Sequence, residues 1–173
     1  MRVNFSVKQS LCTIISNVEL VPGIYLIWLE APYIAGSAQP GQFITVRCGD
    51  LTLRRPFSIH QVASNQIAIL FKVAGKGTLW LSQRQIGDKI DILGLLGNGF
   101  NIEPNSRNLL LVAGGIGIAP LVFLMQRASS QHQVTLIHGA STAAQLSEQS
   151  LPPEVQFIPV TEDGSMGKKG MAT

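Results

Sequence analysis

The stretch LLLVAGGIGIAPLVFLM, residues 109–125, has glycines and a proline placed where they could bind an anion. Residues 109–113 have the pattern of a buried strand, and Pro120 suits the first turn of a following helix because its fixed φ is close to the helical value. The turn between them would present backbone N–H groups at the positive end of that helix. Gly115 and Gly117 have no Cβ, so a phosphate could approach the backbone closely. The residue types therefore predict a bend that binds an anion.

A membrane span is an alternative for the same stretch. A spanning helix needs about 20 apolar residues, whereas residues 109–125 are fewer and are interrupted by glycines and Pro120. Tight packing of a strand against a helix is a second alternative, because it would also use glycines. We expect no membrane span.

The composition excludes several classes of protein. A chain of 173 residues with 46% hydrophobic and 13% charged residues is typical of a globular protein. The formal net charge of +3 comes from scattered lysines and arginines. They form no basic cluster of the kind that binds nucleic acid. Cys12 and Cys48 lack metal-ligand spacing, and residues 1–10 lack the apolar core of a signal peptide. We therefore expect a cytoplasmic protein with reduced thiols and no metal site.

The elements before the glycine turn are short strands. Runs rich in β-branched and aromatic residues, separated by turn residues, occur at residues 11–15, 24–29, 43–47, 51–59, 66–73 and 89–93. One helix is expected at about residues 78–85. Six short strands of this kind predict a small antiparallel barrel.

The pattern changes near residues 101–108. The apolar runs LLLVA, VTLIHG and VQFIPV then alternate with the helix-like stretches PLVFLMQRAS and STAAQLSEQ, which is typical of parallel strands with crossover helices. We expect a barrel domain over residues 1–104 and a Rossmann-like α/β domain over residues 105–173. Three candidate strands follow residue 108, whereas a doubly wound domain uses about five or six. The second domain is therefore expected to be incomplete at its C-terminus.

The motif GIGIAP, residues 115–120, has proline where the dinucleotide fingerprint GxGxxG has its third glycine. This GxGxxP turn resembles that of the ferredoxin-NADP reductase superfamily, in which a flavin-binding barrel precedes a nicotinamide domain. The stretch RPFS, residues 55–58, resembles the Arg-x-aromatic-Ser/Thr motif of that barrel. The resemblance implies that the chain binds FAD and that a nicotinamide dinucleotide is its electron donor.

The resemblance also implies a role for each residue of RPFS. Arg55 would pair with the FAD phosphates through its guanidinium fork, which lysine cannot copy. Pro56 would stiffen the extended backbone, so that Phe57 lies against the isoalloxazine ring. Ser58, the candidate catalytic residue, would offer its hydroxyl near flavin N5. The structural alternative is an edge strand with exposed arginines and a core phenylalanine.

A second stretch, LFKVAGKGT at residues 70–78, resembles the other flavin segment of the superfamily. The resemblance implies that Leu70, Phe71 and Lys72 line the cofactor. It also implies that Gly77 and Thr78 open a helix whose N-terminus faces the pyrophosphate. Thr78 could equally be an ordinary N-cap, and the two roles are compatible.

Two residues are candidates on the nicotinamide side. Asp163 and Ser165 lie in TEDGS, at the expected carboxyl end of a parallel strand, where ligands gather. An ordinary turn is the alternative. Residues 128–167 contain no lysine or arginine to hold a 2′-phosphate, so NADH is the expected donor. His60 is expected to be a partly exposed structural residue, and His138 to have no catalytic role.

Further motifs resemble one branch of the superfamily, the electron-transfer subunits of bacterial dihydroorotate dehydrogenase. They are PGQF, RRPFSI, GKGT, GLLGNGF, GGIGIAP and TEDGSMGKKG, in that order. The resemblance implies electron transfer from NADH to an FMN-containing dihydroorotate dehydrogenase catalytic subunit, in a heterotetramer that serves pyrimidine biosynthesis. It also implies a 2Fe–2S centre in the full-length family, which needs four ligands that Cys12 and Cys48 cannot supply. We therefore expect a C-terminally truncated chain.

Two other functions stay open at this point. Flavin reductase subunits of cytosolic hydrogenases and of NADH-dependent ferredoxin:NADP oxidoreductases share most of these motifs. A redox-dead remnant that binds FAD or a partner is the other possibility, and the electron acceptor is not determined by the sequence.

Overall fold

The first half of the chain folds into a closed barrel of six antiparallel strands in the computed structural model, which describes residues 7–146 and 151–172. The strands are β1 (Lys8–Val21), β2 (Ile24–Glu30), β3 (Phe43–Val46), β4 (Arg55–Ala63), β5 (Gln66–Lys72) and β6 (Lys89–Leu96). They pair in the order β1-β2-β5-β4-β3-β6 around the barrel. The predicted antiparallel barrel is thereby confirmed.

Side chains fill the interior of the barrel. Ile14, Ile27, Ile44, Ile59 and Ile92 come from five different strands, and each has no exposed surface. Burying a side chain of this size stabilises the fold by about 1.5–3 kcal/mol. Because a small barrel is packed with its own side chains, a ligand has to bind outside it.

Several of the expected elements have different boundaries, and the largest difference is in β1, which spans Lys8–Val21 where a strand was expected at residues 11–15. The strand expected over residues 51–59 begins only at Arg55, because the chain before it turns, with the N–H of Leu51 donating to the carbonyl of Cys48 at 3.3 Å. The helix expected over residues 78–85 is wrong at both ends: after the short α1 (Pro32–Ala35), α2 spans Lys76–Ser82. The helix begins before Thr78 because the Thr78 hydroxyl accepts hydrogen bonds from the N–H groups of Ala74 and Gly75 and so caps the helix from within its first turn.

The second half contains a parallel sheet. Its strands are β7 (Asn108–Gly114), β8 (Gln133–Ala140), β9 (Gln156–Thr161) and β10 (Lys168–Lys169), in the order β10-β9-β8-β7. The parallel α/β arrangement is confirmed, and a fourth strand of two residues adds to the three expected. Of the helix-like stretch at residues 141–149, the structure has a short 3₁₀ turn at Ala143–Gln145, and residues 147–149 lie outside the described residues.

The helix α3 (Ala119–Ala128) joins the barrel to the sheet. It packs against β4 on one side, and its buried residues Val122 and Met125 share a cluster with Val134 and Leu136 of β8. Leu70 of β5 enters the same cluster, so the outer wall of the barrel and the sheet share one core. Among the described residues, no helix has the length and apolar character that a membrane crossing requires.

Candidate functional site

The glycine turn lies open at the surface between β7 and α3. Gly115–Ile118 form a 3₁₀ turn that runs directly into α3, so residues 109–125 form a strand, a turn and a helix, as predicted. Gly115 has a φ of +48°, a conformation that favours glycine. A Cβ placed on Gly114, Gly115 or Gly117 would meet no atom within 4 Å. The turn therefore has free space around it and free N–H groups at the start of a helical segment.

A cleft of about 350 Å³ borders this turn. Its lining includes Lys72, Gly115, Ala140, Ser141 and Glu162. The last three stand at or just beyond the carboxyl ends of β8 and β9, whereas Lys72 ends β5 of the barrel. The cleft thus lies between the barrel and the carboxyl edge of the parallel sheet, which is where open α/β sheets bind ligands.

Sequence reasoning missed three polar residues of the cleft, Ser141, Gln145 and Glu162. Ser141 follows β8 and Glu162 follows β9, and the Ser141 hydroxyl donates to Oε1 of Glu162 at 3.3 Å. The pair supplies a carboxylate and a hydroxyl beside the glycine turn. The available signal was that Glu162 comes directly after an apolar run of strand length, as Asp163 nearly does.

Asp163 and Ser165 are not among the residues that line the cleft. Oδ1 of Asp163 accepts hydrogen bonds from the Ser165 hydroxyl at 2.6 Å and from the Ser165 N–H at 2.9 Å. These bonds lower the pKa of Asp163. The Ser165 oxygen also accepts from the N–H of Ala143 at 2.7 Å. The two residues therefore tie the loop after β9 to the turn after β8, and their nicotinamide-side role stays a prediction.

Two buried histidines flank the glycine turn. His138 of β8 and His60 of β4 are each 1% exposed. The expectation of a partly exposed His60 is wrong, because α3 covers that face of β4 and His60 Nδ1 lies 2.8 Å from the carbonyl oxygen of Ala119. His138 Nε2 lies 2.9 Å from the carbonyl oxygen of Gly115. Burial lowers the pKa of His138.

The structure brings Arg55 and Gly77 together. A Cβ on Gly77 would lie 3.2 Å from Cγ and 3.2 Å from Nε of Arg55, so the missing side chain lets the arginine pack closely against the start of α2. Nη1 of Arg55 donates to the carbonyl of Leu53 at 3.1 Å. The neighbouring Arg54 differs, because its Nη2 forms an ion pair with Oδ2 of Asp91 at 2.7 Å. Of the two arginines, Arg55 is the one whose guanidinium has no carboxylate partner among the described residues.

The Thr78 hydroxyl is fully occupied by its own loop. Its oxygen accepts hydrogen bonds from the N–H groups of Ala74 at 2.9 Å and Gly75 at 3.1 Å, and the hydroxyl donates to the carbonyl of Gly75 at 3.0 Å. A hydroxyl has one donor and two acceptor sites. Thr78 therefore shapes the GKGT loop, and direct contact with a pyrophosphate stays a prediction.

The aromatic candidates lie in the barrel core. Phe57 is 7% exposed, and its ring meets the ring of Phe71 edge-on, with 5.5 Å between centroids. Leu70 is 4% exposed and packs in the cluster of α3. Pro56 is exposed and Ser58 is half-buried on β4. These positions fit the core alternative for Phe57, and contact of these side chains with a flat ligand stays a prediction.

The two cysteines are buried in the barrel. Burial raises the pKa of Cys12 to about 11 and also raises the pKa of Cys48. Such thiols are poorly ionised and unreactive near neutral pH. Within residues 7–146 and 151–172, no group of three or more His, Cys, Asp or Glu residues could hold a metal ion.

Two curated proteins with similar sequences have the same name. The chain is 43% identical over 159 residues to the dihydroorotate dehydrogenase B (NAD(+)) electron transfer subunit of Desulforamulus reducens, which covers 87% of this chain and 61% of that protein. It is 37% identical over 175 residues to the subunit of the same name in Shouchella clausii, covering 96% and 68%. The chain thus spans between 61% and 68% of the length of these two relatives. No protein-family model matches it.

Solved structures share the fold. The NADH-dependent reduced ferredoxin-NADP oxidoreductase superposes with a TM-score of 0.84 at 30% identity, over 93% of this chain and 60% of that one. A ferredoxin NADP+ reductase from Neisseria gonorrhoeae, with bound FAD and NADP, superposes with a TM-score of 0.77 at 21% identity, over 94% and 73%. The second likeness concerns the fold alone.

Proposed function

Because this chain belongs to the family of dihydroorotate dehydrogenase B electron-transfer subunits, we propose that it is a flavin-dependent oxidoreductase subunit that takes reducing equivalents from NADH. Its partner would be an FMN-containing dihydroorotate dehydrogenase catalytic subunit, in a heterotetramer of pyrimidine biosynthesis. The observation that carries the proposal is the open glycine turn, which faces a barrel residue, Lys72, across one cleft. We assign FAD to the barrel of residues 1–104 and the dinucleotide to residues 105–173.

Arg55 and Gly77 fit the phosphates of FAD. The guanidinium of Arg55 has no competing carboxylate among the described residues, and it rests on the first turn of α2 because Gly77 has no side chain. A guanidinium beside free backbone N–H groups suits a pyrophosphate. When bound, FAD would supply the redox chemistry, since its ring system can accept the two electrons of a hydride.

The strands β4 and β5 would orient the cofactor from the outer wall of the barrel. The edge-on contact between the Phe57 and Phe71 rings joins these two strands on the inner face of the barrel. Pro56 and Ser58 of β4, with Lys72 at the end of β5, are left at the surface or half-buried. We assign the Ser58 hydroxyl to a hydrogen bond with the flavin, and Leu70 to packing that supports this wall.

The cleft would hold the nicotinamide dinucleotide. The N–H groups of the turn at Gly115 and Gly117 would bind its phosphates, and Pro120 fixes the first turn of α3 behind them. Glu162, held by Ser141, would accept hydrogen bonds from ribose hydroxyls, the role that an acid takes in dinucleotide sites. In our proposal, Asp163 and Ser165 act indirectly, by holding the loop that carries Glu162.

Cys12 and Cys48 do not fit an iron–sulfur centre. Both lie buried in the barrel, on β1 and just after β3, and such a centre takes four cysteine ligands. No electron path through an iron–sulfur centre is therefore proposed for these residues.

A second candidate is the flavin subunit of a ferredoxin:NADP oxidoreductase. The likeness to the NADH-dependent reduced ferredoxin-NADP oxidoreductase, with its TM-score of 0.84 and 30% identity, favours it. The two candidates share the cofactor and the donor, and they differ in the electron acceptor.

The test begins with the colour of the purified chain. We expect it to bind one equivalent of FAD and to lose the yellow absorbance when NADH is added without oxygen. A folded chain that takes up no FAD would refute the flavin assignment, and bound FAD that NADH cannot bleach would indicate a redox-dead remnant. Co-purification with a dihydroorotate dehydrogenase catalytic subunit, compared with ferredoxin as a competing acceptor, separates the two candidates.

A further inference from the structure

The glycine turn is held by two histidines that approach it from different parts of the fold. His138 comes from β8 of the sheet and lies 2.9 Å from the carbonyl oxygen of Gly115. His60 comes from β4 of the barrel and lies 2.8 Å from the carbonyl oxygen of Ala119. Both side chains are 1% exposed. The two carbonyls bracket the turn, one near its start and one at the first residue of α3.

The carbonyl partners determine where the ring protons are. A carbonyl oxygen can only accept, so His138 must carry a proton on Nε2 and His60 on Nδ1. The other nitrogen of His138, Nδ1, is buried and has no hydrogen-bond partner among the described residues. A second proton on that nitrogen would be a buried, unpaired donor, which is unfavourable. His138 therefore acts as a neutral donor.

The bond from His138 sets the direction of a backbone N–H. The peptide between Gly115 and Ile116 is trans and planar, so its C=O and its N–H point in opposite directions. The Gly115 carbonyl points inward to the buried His138, and the Ile116 N–H must therefore point outward. Gly115 and Ile116 are both exposed, so this N–H is directed to the open side of the turn.

Packing holds the end of the turn, where Ile118 is buried, but it does not hold the glycines. The positions that Cβ atoms would take on Gly114, Gly115 and Gly117 are empty to 4 Å, and glycine has more backbone freedom than any other residue. The histidine bonds therefore add to the backbone bonds of the turn, such as that from the Ala119 N–H to the Ile116 carbonyl, in holding its glycines in one conformation. The bond from His60 also connects the turn to the barrel, because His60 lies on β4, two residues after Ser58.

We propose that His138 and His60 are positioning residues for the dinucleotide: His138 aims the turn N–H groups at its phosphates, and His60 sets the turn relative to the flavin strand β4. The proposal rests on the proposed function. Neither residue contacts the reacting atoms.

The first experiment compares two variants of His138. His138→Gln retains an amide donor near the position of Nε2, whereas His138→Leu has similar bulk and no donor. ADP-ribose is the probe, because it has the phosphates and ribose but no nicotinamide. By calorimetry on the FAD-loaded chain, we expect His138→Leu to weaken ADP-ribose binding about tenfold, the effect of losing one hydrogen-bond contact. We expect His138→Gln to bind within about threefold of the wild type.

A third histidine provides the matched control. His132 precedes β8, and its Nδ1 also donates to a carbonyl, that of Ser106 at 2.8 Å, but it stands at the opposite end of the strand from the turn. His132→Leu should leave ADP-ribose binding and FAD content unchanged. For His60, the pair His60→Asn and His60→Leu should retain ADP-ribose binding, and only the leucine variant should slow the reduction of flavin by NADH.

Nitrogen NMR of the wild type gives a readout that does not depend on activity. We expect His138 as the Nε2–H tautomer and His60 as the Nδ1–H tautomer. Equal ADP-ribose affinity in wild type and His138→Leu, or the opposite tautomer of His138, would overturn the positioning role while leaving the proposed function intact. A folded, FAD-loaded wild type that binds no ADP-ribose and no NAD+ would instead overturn the nicotinamide assignment, and the positioning role with it. If His138→Leu does not fold, the tautomers of the wild type and the two His60 variants test the proposal.

Discussion

Replacing Arg55 with alanine should weaken the binding of FAD without unfolding the barrel. Arg55 contacts Gly77 and donates to the backbone carbonyl of Leu53, and it forms no ion pair with a described residue, so its removal leaves no buried carboxylate unpaired. A charge-assisted hydrogen bond to a phosphate contributes about 2 kcal/mol. At about 1.4 kcal/mol for each factor of ten, the dissociation constant of FAD should rise about thirtyfold.

Arg54 offers a matched control for this measurement. It is the adjacent residue with the same charge, but its guanidinium is held by Asp91 at 2.7 Å. Arg54→Ala should therefore change stability modestly and FAD affinity little. Arg55→Lys should lie between wild type and Arg55→Ala, because lysine keeps the charge but loses the planar fork.

The assay is titration of the apoprotein with FAD, followed by quenching of flavin fluorescence, at a fixed salt concentration. Circular dichroism of each variant checks that the barrel is intact. If Arg55→Ala binds FAD as tightly as the wild type, or if Arg54→Ala loses as much affinity, the assignment of Arg55 to the phosphates is refuted.

Three further predictions concern the donor, metal content and acid stability. Glu162 lines the cleft and residues 128–167 have no lysine or arginine, so a 2′-phosphate should be repelled and NADH favoured over NADPH by about tenfold in Kd; equal binding in parallel titrations would contradict this. Cys12 and Cys48 are buried, and no group of the described residues could hold a metal ion. The purified chain should therefore contain FAD but no iron or acid-labile sulfide, as measured by elemental analysis. Burial lowers the pKa of His138 below its ordinary 6.5 in the folded state, so its contribution to stability is present above that value and is lost as the pH falls below it. Urea unfolding at about pH 7.5 and about pH 5.5 should show this loss in the wild type and a smaller loss in His138→Gln, and identical pH slopes would refute it.

The sequence by itself determined the architecture. Runs of β-branched and aromatic residues separated by turn residues predicted the six strands of the barrel, because backbone pairing and burial impose that alternation locally. The glycines and Pro120 of GIGIAP predicted a strand, a turn and a helix, since each residue restricts or frees its own backbone dihedrals. These features depend on residues that are close together in the chain, so they can be predicted from the sequence.

Side-chain partners were determined only by the tertiary structure. Phe57 alternates with exposed Pro56 and half-buried Ser58, but only the tertiary structure shows that its face of β4 packs in the barrel core, against Phe71. The sequence left open whether Thr78 caps a helix or faces a pyrophosphate, and only the structure shows that its hydroxyl accepts from the N–H groups of Ala74 and Gly75.

The long-range contacts of the site were also invisible in the sequence. Ser141 and Glu162 are 21 positions apart, and His60 is 59 positions from Ala119. Pairing of parallel strands brings the first pair to one edge of the sheet, and packing of α3 on the barrel brings the second pair together. The local sequence pattern predicts which side chains of an element are exposed. Contacts between side chains of different elements depend on how those elements pack together.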